Sequence, residues 1–294
     1  MNVSGKMEYK VRRNEPAVKG PITFDANNTI IISPVNFHAQ NWRYAAKQFV
    51  KAYPDDVLVH SNLDEHDQSR RRGVVAGLEP VNFITFAMPH LGSRGHKQVP
   101  VFCGVYTMER LATRASFLLG RTGRHLFLSD SDDGKSPILL RMSSDSEDLK
   151  FMSLYLSALA LQSFKRRAAY ANARFDNIVG WSSSSLRRLS ELPKCRSLER
   201  NAKYPHIVNE EKANFVISPQ GEVPLEIKAA RGRTKDMEET MIRGLTRLNW
   251  ERVDVSFTGS MQWLLAHSTI QVKTQGINSE GADVIQHMID NFVL

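Results

Sequence analysis

The sequence predicts an α+β protein with a mixed or antiparallel sheet, a buried central helix and a smaller C-terminal α+β region. Three observations carry this. Short β-branched and aromatic runs fill residues 21–140 and are separated by Gly, Pro, Asp and Ser turns. Between residues 148 and 164 the apolar positions change to helical spacing. Beyond residue 196, strand-like and helix-like runs alternate again. The expected division is a flexible arm over 1–20, an α+β domain over 21–195 and a C-terminal α+β region over 196–294.

Each element follows from its residues. Residues 22–33 read as strand, turn and strand around Asn27 and Asn28, residue types that favour turns. Trp42, Ala45, Ala46, Phe49 and Val50 then mark a helix that Pro54 ends. DVLVHS, VNFITFAMP, VPVFCGVYTM, ASFLLG, RHLFLSD and SPILLRM read as successive strands. From Asp148 to Asn177 a helix is expected, with Met152, Tyr155, Leu156, Leu159 and Phe164 on its buried face and a basic second half. Gly180 and Ser182 to Ser185 interrupt it, and Leu186, Leu189 and Leu192 resume a short helix stopped by Pro193. NFVISPQGEVPLEIKAA reads as a hairpin about Gln220 and Gly221, followed by a helix from about Asp236 to Leu248. VDVSFTG and STIQVKT look like strands on either side of a short helical SMQWLLAH, and ADVIQHMIDNFVL like a closing helix.

Composition narrows the partners. The chain of 294 residues is 41% hydrophobic and 24% charged, which is ordinary for a folded protein. No run of eighteen apolar residues occurs and no hydrophobic segment follows the N-terminal charges, so neither a membrane span nor a signal peptide is expected, and a cytoplasmic compartment is. Cys103 and Cys195 make no disulfide framework or zinc pattern, and no cofactor is expected. The net charge is +8 with a pI near 9.5. From Ala160 to Lys203 there are ten Lys/Arg against three acids, so one stretch carries nearly the whole excess. That concentration points to a polyanion, through phosphate neutralisation and counterion release.

On a helix, Arg167, Tyr170 and Arg174 would form one stripe, two guanidiniums gripping phosphates while a ring stacks on a base. Lys165 and Arg166 adjoin it, and Arg187, Arg188, Lys194, Arg196, Arg200 and Lys203 extend the patch. Arg121 and Arg124, in a turn without the lysine of a phosphate-binding loop, are weaker RNA contacts, as is the Arg70-Arg71-Arg72 run.

In element order the first 190 residues also resemble the ribosome-inactivating proteins, which are RNA N-glycosidases. The likeness rests on ITFDANN before NWRYAAKQFVKAY, on VNFITFAM, VPVFCGVYTM and RASFLLGRTGRHLFLSD as a central sheet, on KFMSLYLSALALQSFKRR as the catalytic helix, and on LRRLSEL as a later helix. The resemblance implies a surface fitted to structured RNA. It also implies lost catalysis, because Ala160 and Ser163 fall where the family has its Glu and Arg, Leu186 where it has a helix tryptophan, and Phe117 where it has the base-stacking tyrosine. The expected function is therefore non-catalytic RNA binding, of the kind served by nuclear-shell-associated proteins in cells infected by large-genome phages, with a protein assembly partner in prospect. The alternative is a metal-dependent nuclease. Glu226 and Lys228 match the ExK half of the PD-(D/E)xK pattern, but Asn214 stands where its aspartate should be. Asp130, Asp132 and Asp133 read as a turn, the nine His residues show no triad-like grouping, and Ser182 to Ser185 lack a G-x-S-x-G elbow.

Overall fold

The computed structural model describes residues 81–93, 120–131, 136–144, 161–213 and 234–293. Four strands make one mixed sheet: β1 (Asn82–Phe86), β2 (Arg166–Asn172), β3 (Ile207–Glu211) and β4 (Glu251–Val255). Their order is β1-β2-β4-β3, with the first three parallel and β3 antiparallel to β4. The helices are α1 (Gly120–Leu126), α2 (Ile138–Ser144), α3 (Trp181–Ser185), α4 (Thr234–Leu245), α5 (Ala266–Thr269) and α6 (Ala282–Asp290). The α+β reading with a mixed sheet stands. The sheet draws β1 and β2 from residues before 195 and β3 and β4 from residues after it.

Strand side chains point alternately to opposite faces, so the parallel strands divide two cores. Ile84, Phe86, Ala168, Tyr170, Val253 and Val255 pack with Val284, Ile285, Met288 and Ile289 of α6. Phe83 and Ala169 face the other way, into Leu140 of α2 and Met237, Met241, Ile242 and Leu245 of α4. Each fully enclosed aliphatic side chain contributes about 1.5–3 kcal/mol relative to exposure.

Several expectations are corrected. The helix expected over 148–177 is not continuous: a 3₁₀ turn at Leu161–Ser163 leads into β2, and 148–160 lies outside the described residues. RRAAYAN reads as helical because three alanines favour helix and nothing alternates, yet a central parallel strand is buried on both faces and has no alternation to show. RHLFLSD ends α1 and runs on as a turn, and SPILLRM lies largely in α2, so neither is a strand; short apolar runs do not distinguish helix from strand. There Asp130 Oδ2 accepts the Ile138 N–H at 3.0 Å and faces His125 Nδ1 at 2.6 Å, fixing the start of α2. STIQVKT is not a strand: Ser268 and Thr269 end α5 and turns follow, with Val272 N–H on the Thr269 carbonyl and Lys273 N–H on that of Ser268. The helix near 236–248 and the closing helix are present as α4 and α6, and VDVSFTG contains most of β4.

Candidate active site

In open sheets with parallel strands, ligands bind beyond the carboxyl ends of those strands. The carboxyl ends of β2 and β4 are joined by the Ala173 N–H on the Val255 carbonyl, 2.8 Å. The loop after β2 carries Asp176, 4% exposed, and the loop after β4 leads into α5 and His267. His267 Nδ1 and Asp176 Oδ2 are 3.2 Å apart, although 91 residues separate them in sequence.

Local structure fixes both groups. Asp176 Oδ1 accepts the N–H groups of Ile178 (2.9 Å) and Val179 (2.8 Å), which closes a tight turn around the carboxylate. Oδ2 accepts the Asn172 amide at 2.9 Å as well as His267. Phe175, just before Asp176, takes a positive φ of 63°, a conformation that costs a non-glycine residue energy and aims the next side chain back into the sheet end. The two loops are tied at their outer edge, where Asn177 Nδ2 donates to the Leu264 carbonyl (2.9 Å) and the Phe175 and Trp263 rings meet at 4.8 Å. Ala266, Thr269 and Ile270 are fully buried and seat α5 against the core.

With Nδ1–H donated to a carboxylate, Nε2 is the basic nitrogen of the neutral ring. A buried acid that orients an imidazole in this tautomer is the arrangement that the acid and base of a nucleophilic triad take. Among the described residues no hydroxyl hydrogen-bonds to Nε2, and the 294-residue sequence contains no G-x-S-x-G.

The basic residues singled out from sequence are dispersed, most with partners of their own. Tyr170 is fully buried, stacked on Phe86 at 4.6 Å with its hydroxyl 3.0 Å from His287, so it offers no face to a base. Burial pushes its phenol well above the usual range. Arg166 is buried and donates to Glu251 at 2.9 Å, and Arg167 donates to the backbone carbonyl of Asn249 at 2.9 Å. Because β2 is a strand, Arg167, Tyr170 and Arg174 form no helical stripe. Arg187 is buried against Asp254 and Glu211, Arg188 pairs with Glu191 and Glu239, and Lys203 pairs with Asp290 at 2.7 Å. Lys165, Arg174, Lys194, Arg196 and Arg200 are exposed, Arg124 is half-buried in α1, and Arg121 lies on the same helix. Phe117, Ala160, Glu226, Lys228 and Arg70 to Arg72 lie outside the described residues, and Ser163 sits in the turn before β2.

Asp176 and His267 were missed because the pairing is spatial. In the sequence one is an acid within a basic stretch and the other is one of nine histidines. The available signal was position, since each follows the carboxyl end of a strand.

Comparison with known proteins gives two likenesses. Residues 57–186 match the family model described as "Putative serine esterase (DUF676)", a span that contains Asp176 but not His267. A Saccharomyces cerevisiae protein, "Putative lipase YDL109C", is 37% identical over 109 residues, which is 37% of this chain and 14% of that protein. The matched segment thus spans about one seventh of the yeast protein's length. No solved structure matches. These likenesses overturn four expectations: the ribosome-inactivating resemblance, the RNA-binding function, the absence of enzymatic activity and the nuclease alternative. The resemblance failed because it rested on element order, and several of those elements have a different secondary structure. What the chain is similar to is a family of hydrolases, described by the nucleophile they use.

Proposed function

We propose that this chain is an ester hydrolase of the serine-esterase type, in which Asp176 orients His267 and His267 is the general base. The observation that carries the reading is the 3.2 Å contact between His267 Nδ1 and Asp176 Oδ2 beyond the carboxyl ends of parallel strands. The esterase and lipase likenesses support it.

The chemistry follows from the tautomer. Nε2 takes the proton of an attacking serine hydroxyl as its oxygen adds to the ester carbonyl carbon. It then delivers that proton to the departing alcohol oxygen, and water repeats the cycle on the acyl-enzyme. The Asp176 carboxylate stabilises the imidazolium formed in each half. On this reading the serine lies outside the described residues, because none of them brings a hydroxyl to Nε2, and it does not sit in a G-x-S-x-G turn.

The test is hydrolysis of p-nitrophenyl butyrate by the full chain. His267→Ala and Asp176→Asn are each expected to lower kcat by about 10³-fold or more with little change in KM. Fluorophosphonate labelling followed by peptide mass spectrometry identifies the serine. No turnover by the wild-type chain, or full turnover by His267→Ala, overturns the reading.

A further inference from the structure

The loop that delivers His267 has an outer surface that the chemistry above does not use. Met261 is 92% exposed, Leu264 57%, Ile178 50%, Leu265 45% and Trp263 40%, so large apolar side chains stand in water at the mouth of the site. They belong to one rim, because Asn177, next to Ile178, is hydrogen-bonded to the Leu264 carbonyl, and Trp263 packs on Phe175. From Val255 to Val272 the sequence has no Asp, Glu, Lys or Arg. The ends of that stretch belong to β4 and α5 and are buried, but its exposed middle, 258–265, is uncharged as well, and exposed apolar clusters mark a surface that something else covers.

Among the described residues, three exposed cations flank this uncharged run, against one half-buried acid, Glu280, whose N–H donates to Gln262. Arg174 is exposed and precedes Phe175; Arg200 is exposed and donates to the Thr258 carbonyl within the run; exposed Lys273 follows it. A partner that is apolar at its centre and anionic around it fits both features. Protruding Met and Leu side chains enter an acyl layer, Trp sits at its boundary, and cations meet headgroup phosphates. A protein partner or a second copy would need a broad complementary face, whereas four of these side chains project from one short turn, 261–265, and Ile178 from the loop beside it.

We propose that Met261, Trp263, Leu264, Leu265 and Ile178 dock the chain on an anionic lipid surface, so that water-insoluble acyl esters reach His267 from the membrane side. The proposal extends the ester-hydrolase reading, but docking is read without turnover, so either can fail alone.

The experiment is sedimentation of the full chain with phosphatidylcholine vesicles, with and without phosphatidylglycerol, alongside Trp fluorescence. Expected are retention on vesicles, affinity higher by about tenfold or more when phosphatidylglycerol is present, and a blue shift that Trp263→Phe removes. Met261→Asp with Leu264→Asp is expected to lower vesicle affinity by about tenfold or more, with a circular dichroism spectrum like the wild type, since both positions are exposed. His267→Ala should bind vesicles as wild type does, which separates docking from chemistry. Equal retention of the double Asp variant overturns the proposal, as does absence of retention on both vesicle types. A dimer that hides Trp263 from acrylamide in the absence of lipid also overturns it, since the rim is then an interface between copies.

Discussion

A single ring, His90, links burial to acid sensitivity. It is 7% exposed, its Nδ1 faces the Ser183 carbonyl at 3.3 Å, its Nε2 faces Thr85 Oγ1 at 3.2 Å, and its ring meets Trp250 edge-on. One donor toward the carbonyl and one acceptor toward the hydroxyl satisfy a neutral imidazole, whereas a protonated one would carry a desolvated charge with no acid beside it among the described residues. Burial accordingly pushes its pKa down from 6.5 to about 4. The unfolded chain binds the proton first, so this stabilisation is complete above pH 6.5 and is lost as the pH falls from 6.5 toward 4. The shift corresponds to about 3 kcal/mol over that interval. Urea unfolding of the wild type and His90→Gln, each at neutral pH and at about pH 4.5, checks this. The wild type should lose about 2–3 kcal/mol more than the variant on acidification, and equal losses would refute the assignment.

At the scale of elements, the placement of His267 depends on a glycine in another helix. Gly281 precedes α6, and a Cβ there would lie 1.8 Å from the Thr269 carbonyl oxygen, at the end of α5. Backbone cannot yield that far locally, so the substitution pushes α5 and α6 apart and carries His267 with it. Gly281→Ala is expected to cost about 1–3 kcal/mol and to lower kcat more than it raises KM. Thermal unfolding together with ester kinetics gives both numbers, and a variant of wild-type stability and kcat would show that the helices do not clamp the base. This contact also shows what sequence could reveal. Amphipathic α4 and α6 were legible because each has one apolar face, Met237, Met241 and Ile242 in one and Val284, Ile285 and Met288 in the other. β2 was not, because Ala168, Ala169 and Ala171 are buried on both sides and carry no period. Nor was β3, whose outward Glu210 and Glu211 and irregular register after Ile207 hide an edge strand. Asp176 and His267 escaped for a further reason, since topology alone brings together two loops 91 residues apart.

At the scale of the molecule, the two loops of the site are held in register by a buried ionic cluster behind them. Asp254, on β4 just before the loop that leads to His267, is fully buried. It accepts from Trp181 Nε1 at 2.7 Å, Arg187 Nη1 at 2.8 Å and Asn209 Nδ2 at 2.7 Å. Trp181 opens α3, which follows the Asp176 loop, Arg187 lies just after that helix, and Asn209 is on β3, so one carboxylate joins three segments that lie on both sides of residue 195. The charge count that suggested a phosphate-binding surface thus included an arginine whose counterions are internal. Arg187 still has Glu211 at 2.9 Å, but that carboxylate is largely solvated, and it cannot replace a partner inside the core. Removing Asp254 leaves Nη1 of a buried guanidinium, the buried Trp181 N–H and the half-buried Asn209 amide unmatched, so Asp254→Ala is expected to cost about 3–5 kcal/mol. Replacing both ions, Arg187→Met with Asp254→Leu, removes the uncompensated charge and should recover part of that loss, though Trp181 and Asn209 remain without their acceptor. Urea midpoints at unchanged m-value report the three stabilities. If Asp254→Ala unfolds within about 1 kcal/mol of the wild type, the cluster is not what holds β4 against α3. If the double variant is no more stable than the single one, the cost lies in lost hydrogen bonds, not in the stranded charge.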